Sequence, residues 1–181
     1  MAPDRPHLTT VFVDRDGVIN RKAPEGSYVE TWRDFEFLPG ALDGLRLLTE
    51  HGLRVVVASN QRGVGRGRVR AEDLQEIHDR MREQVARAGG RIDAVYHCPH
   101  AGEDCECRKP RPGMLRAAAR DLAGLRLEES AMVGDRAHDM QAGAAVGAVQ
   151  VLVRGFDEPM PPVDHVADDL LGAARWLVAR G

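Results

Sequence analysis

Short apolar runs alternate along this chain with longer stretches in which apolar residues recur every three or four positions. The apolar runs predict β-strands over residues 8–13, 53–58, 92–96, 131–133 and 149–153. The longer spacing predicts helices over residues 41–50, 71–88, 113–122, 137–145 and 167–179. Strands that alternate with helices pair in parallel, so we expect a doubly wound, Rossmann-like α/β sheet with helices on both faces.

The connections between these elements set the expected domain organisation. No stretch between the predicted strands is long enough for a second domain, so we expect one domain over residues 1–181 without a large cap domain. Residues 20–39 form a long irregular segment, which is typical of a loop that binds a ligand. A loop rich in Pro and Gly is predicted over residues 155–162.

Composition narrows the classes of function. Of the 181 residues 43% are hydrophobic, and 25 basic against 28 acidic residues give a net charge of −3. This charge excludes a nucleic-acid binder that acts through bulk positive charge. No apolar run approaches the roughly 20 residues of a membrane span. The N-terminus is polar, so we expect a cytoplasmic protein without a membrane partner. Nothing in the pattern demands a dimer, so a monomer is expected.

Two carboxylates follow the first predicted strand. Asp14 and Asp16 stand two positions apart, and Gly17 allows the chain to turn there. In an open α/β sheet, ligands bind outside the carboxyl ends of the strands. Close carboxylates at this place suit a hard divalent cation such as Mg²⁺, or a division of roles between a nucleophile and a general acid. A simple polar turn after a strand would show the same residues.

Polar residues also follow the second and fourth predicted strands. Ser59 opens the run SNQRGVGRG, which could donate several hydrogen bonds to a phosphate or form only a flexible loop. Asp135 would add a third carboxylate to the same rim, or cap the following helix. Asp139 is a solvated helix position or a loop anchor, and His138 has no clear role.

Two residue types stand out by their number or placement. Only Lys22 and Lys109 are lysines among the 25 basic residues, and a lysine in such a chain points to a site that needs a compact ammonium.

Four histidines are expected on the surface or on helix faces: His7, His51, His78 and His165.

All three cysteines lie in one loop, over residues 98–107. Cys98, His100, Cys105 and Cys107 offer three thiols and an imidazole, which suffice for a tetrahedral Zn²⁺ site. Four protein ligands leave no open position, so this zinc would be structural and would hold the loop that carries Lys109 over the active site. Three free thiols in a polar loop are the alternative.

The candidate sites follow one another as Asp-x-Asp, Ser, Lys and Gly-Asp-x-x-x-Asp. This order, at successive strand ends, resembles the haloacid dehalogenase superfamily of phosphohydrolases. The resemblance implies that Asp14 attacks phosphorus to form an aspartyl-phosphate and that Asp16 acts as general acid and base. It also implies that Ser59 and Lys109 hold the phosphoryl oxygens, and that Mg²⁺ is bound by Asp14, the Asp16 carbonyl and Asp135. We expect the crowded carboxylates to raise the pKa of Asp16.

Longer runs narrow the resemblance within that superfamily. DRDGVIN, SNQRGVGRG and CECRKPRPGM are similar to the D-glycero-D-manno-heptose 1,7-bisphosphate phosphatases, in a likeness that covers residues 11–154. It implies removal of the 7-phosphate of a small sugar bisphosphate in nucleotide-activated heptose biosynthesis, with Mg²⁺ catalytic and Zn²⁺ structural. The substrate contacts that it implies are Glu25, Gly26, Ser27, Tyr28, Asn60, Gln61, Arg62, Arg108 and Arg136.

Other readings stay open at this point. Histidinol-phosphate phosphatases share the zinc loop, and the short loop between His100 and Cys105 and the arginine at position 136 are nearer to that branch. RKPRPGM and the glycine run favour the heptose branch, while the anomer of the 1-phosphate is not indicated. A phospho-accepting signalling domain would place its acceptor on a later strand than Asp14. A zinc-stapled binding module without catalysis is the remaining class.

Overall fold

The structure is a computed structural model, and it describes residues 7–153 and 161–180. The predicted loop over residues 155–162 falls mostly outside the described residues, as does Arg154 at the end of the similar segment. Within the described ranges, no helix has both the length and the apolar character needed to cross a membrane.

The described strands join one six-stranded sheet. They are Thr10–Val13 (β1), Arg54–Asn60 (β2), Ala94–Cys98 (β3), Ser130–Gly134 (β4), Val149–Val153 (β5) and His165–Ala167 (β6). Every pairing is parallel, in the order β3-β2-β1-β4-β5-β6. The predicted parallel α/β sheet is therefore confirmed. The strand order reverses between β1 and β4, and ligands bind at such a switch point, beyond the carboxyl ends of the strands.

Helices cover both faces of this sheet. Those of the described residues are Ala41–Glu50 (α1), Arg62–Gly65 (α2), Ala71–Arg87 (α3), Gly113–Asp121 (α4), Ala137–Ala144 (α5) and Leu170–Val178 (α6). Short 3₁₀ turns lie at Trp32–Asp34 and Leu127–Glu129. No connection within residues 7–153 and 161–180 folds into a separate cap domain, as predicted. The short helix α2 lies inside the run SNQRGVGRG, for which a flexible loop was one of the two alternatives.

Side chains of the strands alternate between two apolar cores. In β1, Val11 and Val13 pack in the core that α1, α3 and α6 cover, whereas Phe12 packs in the core that α4 and α5 cover. All three side chains are fully buried. Burial on both faces explains why the strands read as continuous apolar runs rather than as alternating ones.

The third strand begins two residues later than predicted, at Ala94 instead of residue 92. The carboxylate of Asp93 accepts a hydrogen bond from the backbone N–H of Val55 at 2.9 Å, and the Asp93 N–H donates to the Val55 carbonyl at 2.8 Å. A side chain thus replaces the ladder at this point, so regular pairing starts only at the next residue.

The last helix begins at Leu170 instead of residue 167, because residues 165–167 form the strand β6, which was not predicted. Asp169 caps the helix, since its carboxylate accepts a hydrogen bond from the Gly172 N–H at 2.7 Å. β6 has only three residues, which is too short for an apolar run that would predict a strand.

Two glycines in the packed pair α1 and α6 provide a test of this packing. A Cβ added to Gly44 would lie 2.8 Å from the Leu170 carbonyl group, whereas one added to Gly172 would meet nothing closer than 3.5 Å. We expect Gly44→Ala to lower the free energy of unfolding by about 1–3 kcal/mol, because the helices must move apart. Gly172→Ala is the matched control and should leave it unchanged or raise it by up to about 1 kcal/mol. Chemical denaturation measures both, and equal stabilisation by the two alanines would contradict the close approach.

Candidate active site

Polar side chains stand where three neighbouring strands end at one edge of the sheet. Asp14 follows β1, Ser59 lies near the end of β2 and Asp135 follows β4, and all three are buried. Gly17 turns the chain after the first aspartates with a φ of 92°, a conformation that favours glycine. Asp14 and Asp135 border a cavity of about 230 Å³, lined by Asp14, Asp16, Lys22, Asn60, Arg108, Asp135, Arg136 and His138.

Lys109 enters this edge from the loop before α4 and is only 2% exposed. Its Nζ lies 2.6 Å from Asp139 Oδ1 and 3.0 Å from Asp14 Oδ1, and it donates to the Ala58 carbonyl at 2.6 Å. Burial alone would lower the pKa of Lys109, but the Asp139 and Asp14 carboxylates raise it above its ordinary value. The side chain is therefore a permanent cation with all three of its hydrogens directed to partners.

Asp139 is fully buried and holds two parts of the site together. Its Oδ1 faces Lys109, while its Oδ2 accepts hydrogen bonds from the backbone N–H groups of Asp135 at 3.2 Å and Arg136 at 3.1 Å. Of the two readings considered for Asp139, the loop anchor is correct and the solvated position is wrong. Asp135 does not cap α5, because the N-cap residue is Arg136.

Asp14 stands among like charges. Its Oδ1 accepts a hydrogen bond from the Arg15 backbone N–H at 2.8 Å, and the Lys109 ammonium lies against the same oxygen. Burial raises the pKa of Asp14 to about 8, with further contributions from Asp139, Asp135 and Asp16, while Lys109 opposes the shift. A positive charge added beside this carboxyl would bring its pKa down again.

Asp16 has the opposite electrostatics. The Arg15 guanidinium donates to Oδ1 at 3.0 Å and to Oδ2 at 3.1 Å; Asn20 donates to Oδ1 at 2.9 Å and Gln61 to Oδ2 at 2.8 Å. Burial raises the pKa of Asp16, but the Arg15 charge and these hydrogen bonds hold it below its ordinary value. The expectation of a raised pKa for Asp16 is therefore wrong, and the raised value belongs to Asp14.

Arg15 was not among the predicted site residues, although it lies between the two aspartates; it is only 1% exposed. Its NH1 lies 3.3 Å from Nε2 of His78, and because a guanidinium only donates, this imidazole nitrogen must accept. Burial lowers the pKa of His78 to about 3, and the Arg15 charge and the neighbouring ring of His97 add to the shift. Of the two placements expected for His78, the helix face is correct and the surface is wrong, since the residue is only 3% exposed.

Lys22 was also missed as a site residue, although its rarity in this chain was a signal. It forms an ion pair with Asp135 and lines the same cavity. Burial raises the pKa of Asp135, and the Lys22 ammonium opposes that shift. The irregular segment after Asn20 thus places the Lys22 ammonium against the Asp135 carboxylate.

The residues expected to contact substrate occupy different places. Asn60, Arg108 and Arg136 line the cavity beside Asp14. Asn60 also accepts from the Lys109 N–H at 3.0 Å and donates to the Lys109 carbonyl at 3.1 Å, so it pins that loop.

The others lie around this cavity. Glu25, Gly26 and Ser27 are exposed. Tyr28 accepts from Arg66 at 3.0 Å and borders a neighbouring cavity of about 260 Å³ with Lys22. Two more of the expected residues face protein groups: Gln61, whose amide donates to Asp16, and Arg62, whose guanidinium lies 4.0 Å from Glu103.

The cysteine loop brings its four predicted ligands together. The candidate ligand atoms of Cys98, His100, Cys105 and Cys107 all lie within 4.8 Å of one another. His100 Nδ1 is 3.5 Å from the Cys98 sulfur and 3.2 Å from that of Cys107, and the Cys98 and Cys105 sulfurs are 3.6 Å apart. This arrangement is compatible with the edges of a tetrahedron around one metal ion with Zn–S bonds of about 2.3 Å.

Comparison with known proteins agrees with this geometry. A family model described as HAD-hydrolase-like matches residues 106–173. A Pseudomonas putida protein named D-glycero-beta-D-manno-heptose-1,7-bisphosphate 7-phosphatase is 39% identical, over 94% of this chain and 100% of that protein. A Bordetella bronchiseptica protein of the same name is 40% identical, over 94% of this chain and 98% of its own length.

A solved structure shows the same likeness in three dimensions. It is the D,D-heptose 1,7-bisphosphate phosphatase from Bordetella bronchiseptica, complexed with magnesium and phosphate. It matches with a TM-score of 0.86 at 34% identity, over 96% of this chain and 100% of that one.

The buried His78 predicts a pH dependence of stability. The folded state keeps this ring neutral down to about pH 3, whereas the unfolded chain takes up the proton near pH 6.5. Acidification therefore favours the unfolded state through His78 between these values. Between about pH 7.5 and pH 5, we expect the free energy of unfolding to fall about 2 kcal/mol more in the native protein than in His78→Gln.

Chemical denaturation at the two pH values measures this difference. His51→Gln, at an exposed histidine, is the matched control and should keep the native slope. An equal slope in the native protein and His78→Gln would show that His78 is not held neutral.

Proposed function

Because the chain belongs to the family of the D-glycero-beta-D-manno-heptose-1,7-bisphosphate 7-phosphatases, we propose that it hydrolyses the 7-phosphate ester of D-glycero-D-manno-heptose 1,7-bisphosphate. Inorganic phosphate and the heptose 1-phosphate are the products. One observation carries the proposal: Asp14, Asp16, Ser59 and Lys109 meet at the switch point of the sheet, in a chain similar to these phosphatases over nearly its whole length.

Asp14 is the proposed nucleophile. Among the described residues, both donors to its carboxylate reach Oδ1, which leaves Oδ2 to attack phosphorus. The new bond joins Oδ2 to phosphorus while the ester bond between phosphorus and the sugar oxygen breaks. Asp16 gives its proton to that oxygen, then takes a proton from a water molecule that attacks the aspartyl-phosphate, which returns Asp14 as a carboxylate and releases phosphate.

Charge neutralisation is the main requirement of this reaction, because a carboxylate must approach a phosphate dianion. Lys109 supplies a fixed positive charge at Asp14, and it costs no reorganisation since its partners already hold it. The Ser59 hydroxyl, which is 1% exposed, would donate a hydrogen bond to a phosphoryl oxygen.

Asp16 is the proposed general acid, although its surroundings favour the carboxylate form. A phosphate dianion bound beside it would oppose the Arg15 charge and favour proton uptake. The proton would then pass to the sugar oxygen as its bond to phosphorus breaks.

The donor set of the cleft fits a divalent cation with oxygen ligands. Asp135 Oδ1 is buried and has no hydrogen-bond partner among the described residues, and Asp14 lines the same cavity. The Asp14 side chain, the Asp16 carbonyl and Asp135 would hold Mg²⁺, the cation named for the Bordetella bronchiseptica structure. Bound there, it would neutralise phosphoryl charge. Lys22 pairs with the other oxygen of Asp135, Oδ2, which leaves Oδ1 for this cation.

The cysteine loop fits a structural Zn²⁺ ion by its chemistry and its spacing. Three thiols and the Nδ1 of His100 form the set, and Zn²⁺ prefers such ligands. Arg111 donates to the Cys105 carbonyl at 2.6 Å, which ties the loop to the segment that carries Lys109. The metal would therefore hold the lysine loop in place.

The substrate choice rests on the named relatives, which act on a heptose bisphosphate rather than on histidinol phosphate. Arg108 borders both the catalytic cavity and a neighbouring cavity of about 330 Å³ that also contains Arg111. A substrate with a second phosphate offers these guanidiniums a matching charge. Histidinol phosphate carries an ammonium at its far end and offers none.

A monomer in the cytoplasm remains our expectation. Among the described residues, Val166 is the one large apolar side chain that is exposed to solvent. Their surface therefore offers little apolar area that a second copy of the chain could bury. Sedimentation of the purified protein tests the monomer.

A substrate comparison tests the proposed reaction. Phosphate release is measured with both anomers of heptose 1,7-bisphosphate and with histidinol phosphate, each with added Mg²⁺. We expect one phosphate per bisphosphate and a preference for a bisphosphate anomer. Asp14→Asn should lose at least about a thousandfold in kcat because no nucleophile remains.

Asp43→Asn, at an exposed helix position, is the matched control and should retain native activity. Preference for histidinol phosphate would overturn the substrate. A long-lived phospho-protein would indicate a signalling domain, and no phosphate release from any ester would indicate a binding module.

Removal of one cysteine tests the zinc loop. Cys105→Ser should lower the bound zinc from about one ion per chain and reduce thermal stability, since a ligand is lost. Activity should also fall, because Lys109 loses its support. Metal analysis, thermal unfolding and phosphate release measure the three effects. Glu106→Gln, at the exposed position between two ligands, is the control, and unchanged zinc content in Cys105→Ser would refute the ligand set.

A further inference from the structure

The side chain of Gln61 links two residues of the proposed reaction. Its Nε2 donates to Asp16 Oδ2 at 2.8 Å and to the Ser59 hydroxyl oxygen at 2.7 Å. A carboxamide nitrogen carries two hydrogens, and this geometry uses both of them. The residue is 7% exposed and does not line the described cavity beside Asp14. Its amide thus faces protein groups rather than the space that a substrate would occupy.

The backbone of Gln61 is fixed at both of its hydrogen-bonding groups. Its N–H donates to the Cys98 carbonyl at the end of β3, at 2.8 Å. Its carbonyl accepts from the Val64 N–H at 3.2 Å, at the start of α2. The backbone that carries this amide is therefore held in place between the end of β3 and the start of α2. Because the backbone is fixed, the amide can orient the groups to which it donates.

The partner that most needs orientation is Asp16, which has to hand a proton to the leaving oxygen. Arg15 and Asn20 hold its carboxylate from one side, and both are buried and bonded elsewhere, to His78 and to the Arg21 carbonyl. Gln61 contributes the shorter of the two bonds to Oδ2, at 2.8 Å. Without it, Oδ2 would keep only the bond from Arg15, at 3.1 Å, so the orientation of the carboxyl group would be less firmly fixed.

Ser59 is oriented by the same amide. Its oxygen accepts from Gln61, so its own hydrogen is directed to another acceptor. In the proposed reaction that acceptor is a phosphoryl oxygen. The Gln61 amide would in this way orient both Ser59, the donor to the phosphoryl group, and Asp16, the acid that protonates the leaving oxygen.

We propose that Gln61 is a positioning residue for proton transfer by Asp16, acting through its bridge between Asp16 and Ser59, and that it is not a contact to the sugar. The inference rests on the proposed phosphatase reaction but not on the identity of the sugar. Any phosphate ester with a poor leaving group requires the same proton, so the effect must depend on the leaving group.

A leaving-group comparison tests this role. Kinetics are measured on heptose 1,7-bisphosphate, whose alkoxide leaves only when protonated, and on p-nitrophenyl phosphate, whose phenolate leaves without a proton. We expect Gln61→Met to lower kcat on the sugar ester about tenfold or more, a part of the factor that general acid catalysis supplies. The loss of kcat on the aryl ester should be much smaller. Asp16→Asn, which removes the proposed acid itself, is the reference variant. It should lose more kcat on the sugar ester than Gln61→Met does, again with a much smaller loss on the aryl ester.

The other outcomes contradict the role. A raised KM on the sugar with unchanged kcat would make Gln61 a substrate contact. Equal losses of kcat on both esters would mean that it acts only through Ser59 or on the fold, and thermal unfolding and zinc content separate those two cases. Gln75→Met, at an exposed glutamine of α3, is the matched control.

Failure of the proposed function is seen separately. If Asp14→Asn keeps its activity on both esters, the aspartyl-phosphate mechanism is wrong whatever Gln61 does. If the native protein cleaves simple alkyl phosphates but not heptose 1,7-bisphosphate, the substrate is wrong, and the comparison for Gln61 is still made with the alkyl ester.

Discussion

The buried ion pairs of Lys109 are the constraint around which the rest of the site is arranged. A fully buried ammonium is stable only where carboxylates compensate it, and Asp14 and Asp139 both do so. The same contacts keep two close carboxylates from repelling each other. Loss of either carboxylate would leave an uncompensated charge in the interior, so the positions of β1, α5 and the loop that carries Lys109 depend on one another.

The lysine loop is held at several points because its one charge must be placed accurately. Asn60 bonds both backbone groups of Lys109, and the cysteine cluster lies directly before it in the chain. Gly113 allows the loop to pass close to the Glu106 carbonyl, where its N–H donates at 3.1 Å and a side chain would collide. With the proposed Zn²⁺ bound, the cysteine loop would add a further restraint on the position of Lys109.

The sequence predicts the sheet, most helices and the residues at the strand ends, because burial on both faces leaves long apolar runs and catalytic groups follow them. The helix over residues 41–50 and the strand over residues 149–153 have the predicted bounds. The three-residue strand β6 has no such run. Arg15 and His78 were not predicted as neighbours of the site, because only the fold brings the Arg15 guanidinium against both Asp16 and His78. The pKa of Asp16 follows from Arg15 and was misjudged for the same reason.

The pair formed by Arg15 and His78 has a consequence for observing this enzyme at work. The guanidinium touches Asp16 on one side and a neutral imidazole on the other, and that ring stacks obliquely near a second one, His97, at 5.5 Å between centroids. A change of charge or orientation at Asp16 must alter the electric field at the imidazole, which is shielded from solvent. His78 would therefore serve as a native spectroscopic reporter, because its nitrogen resonances would follow the charge and orientation of Asp16 without any label in the cleft.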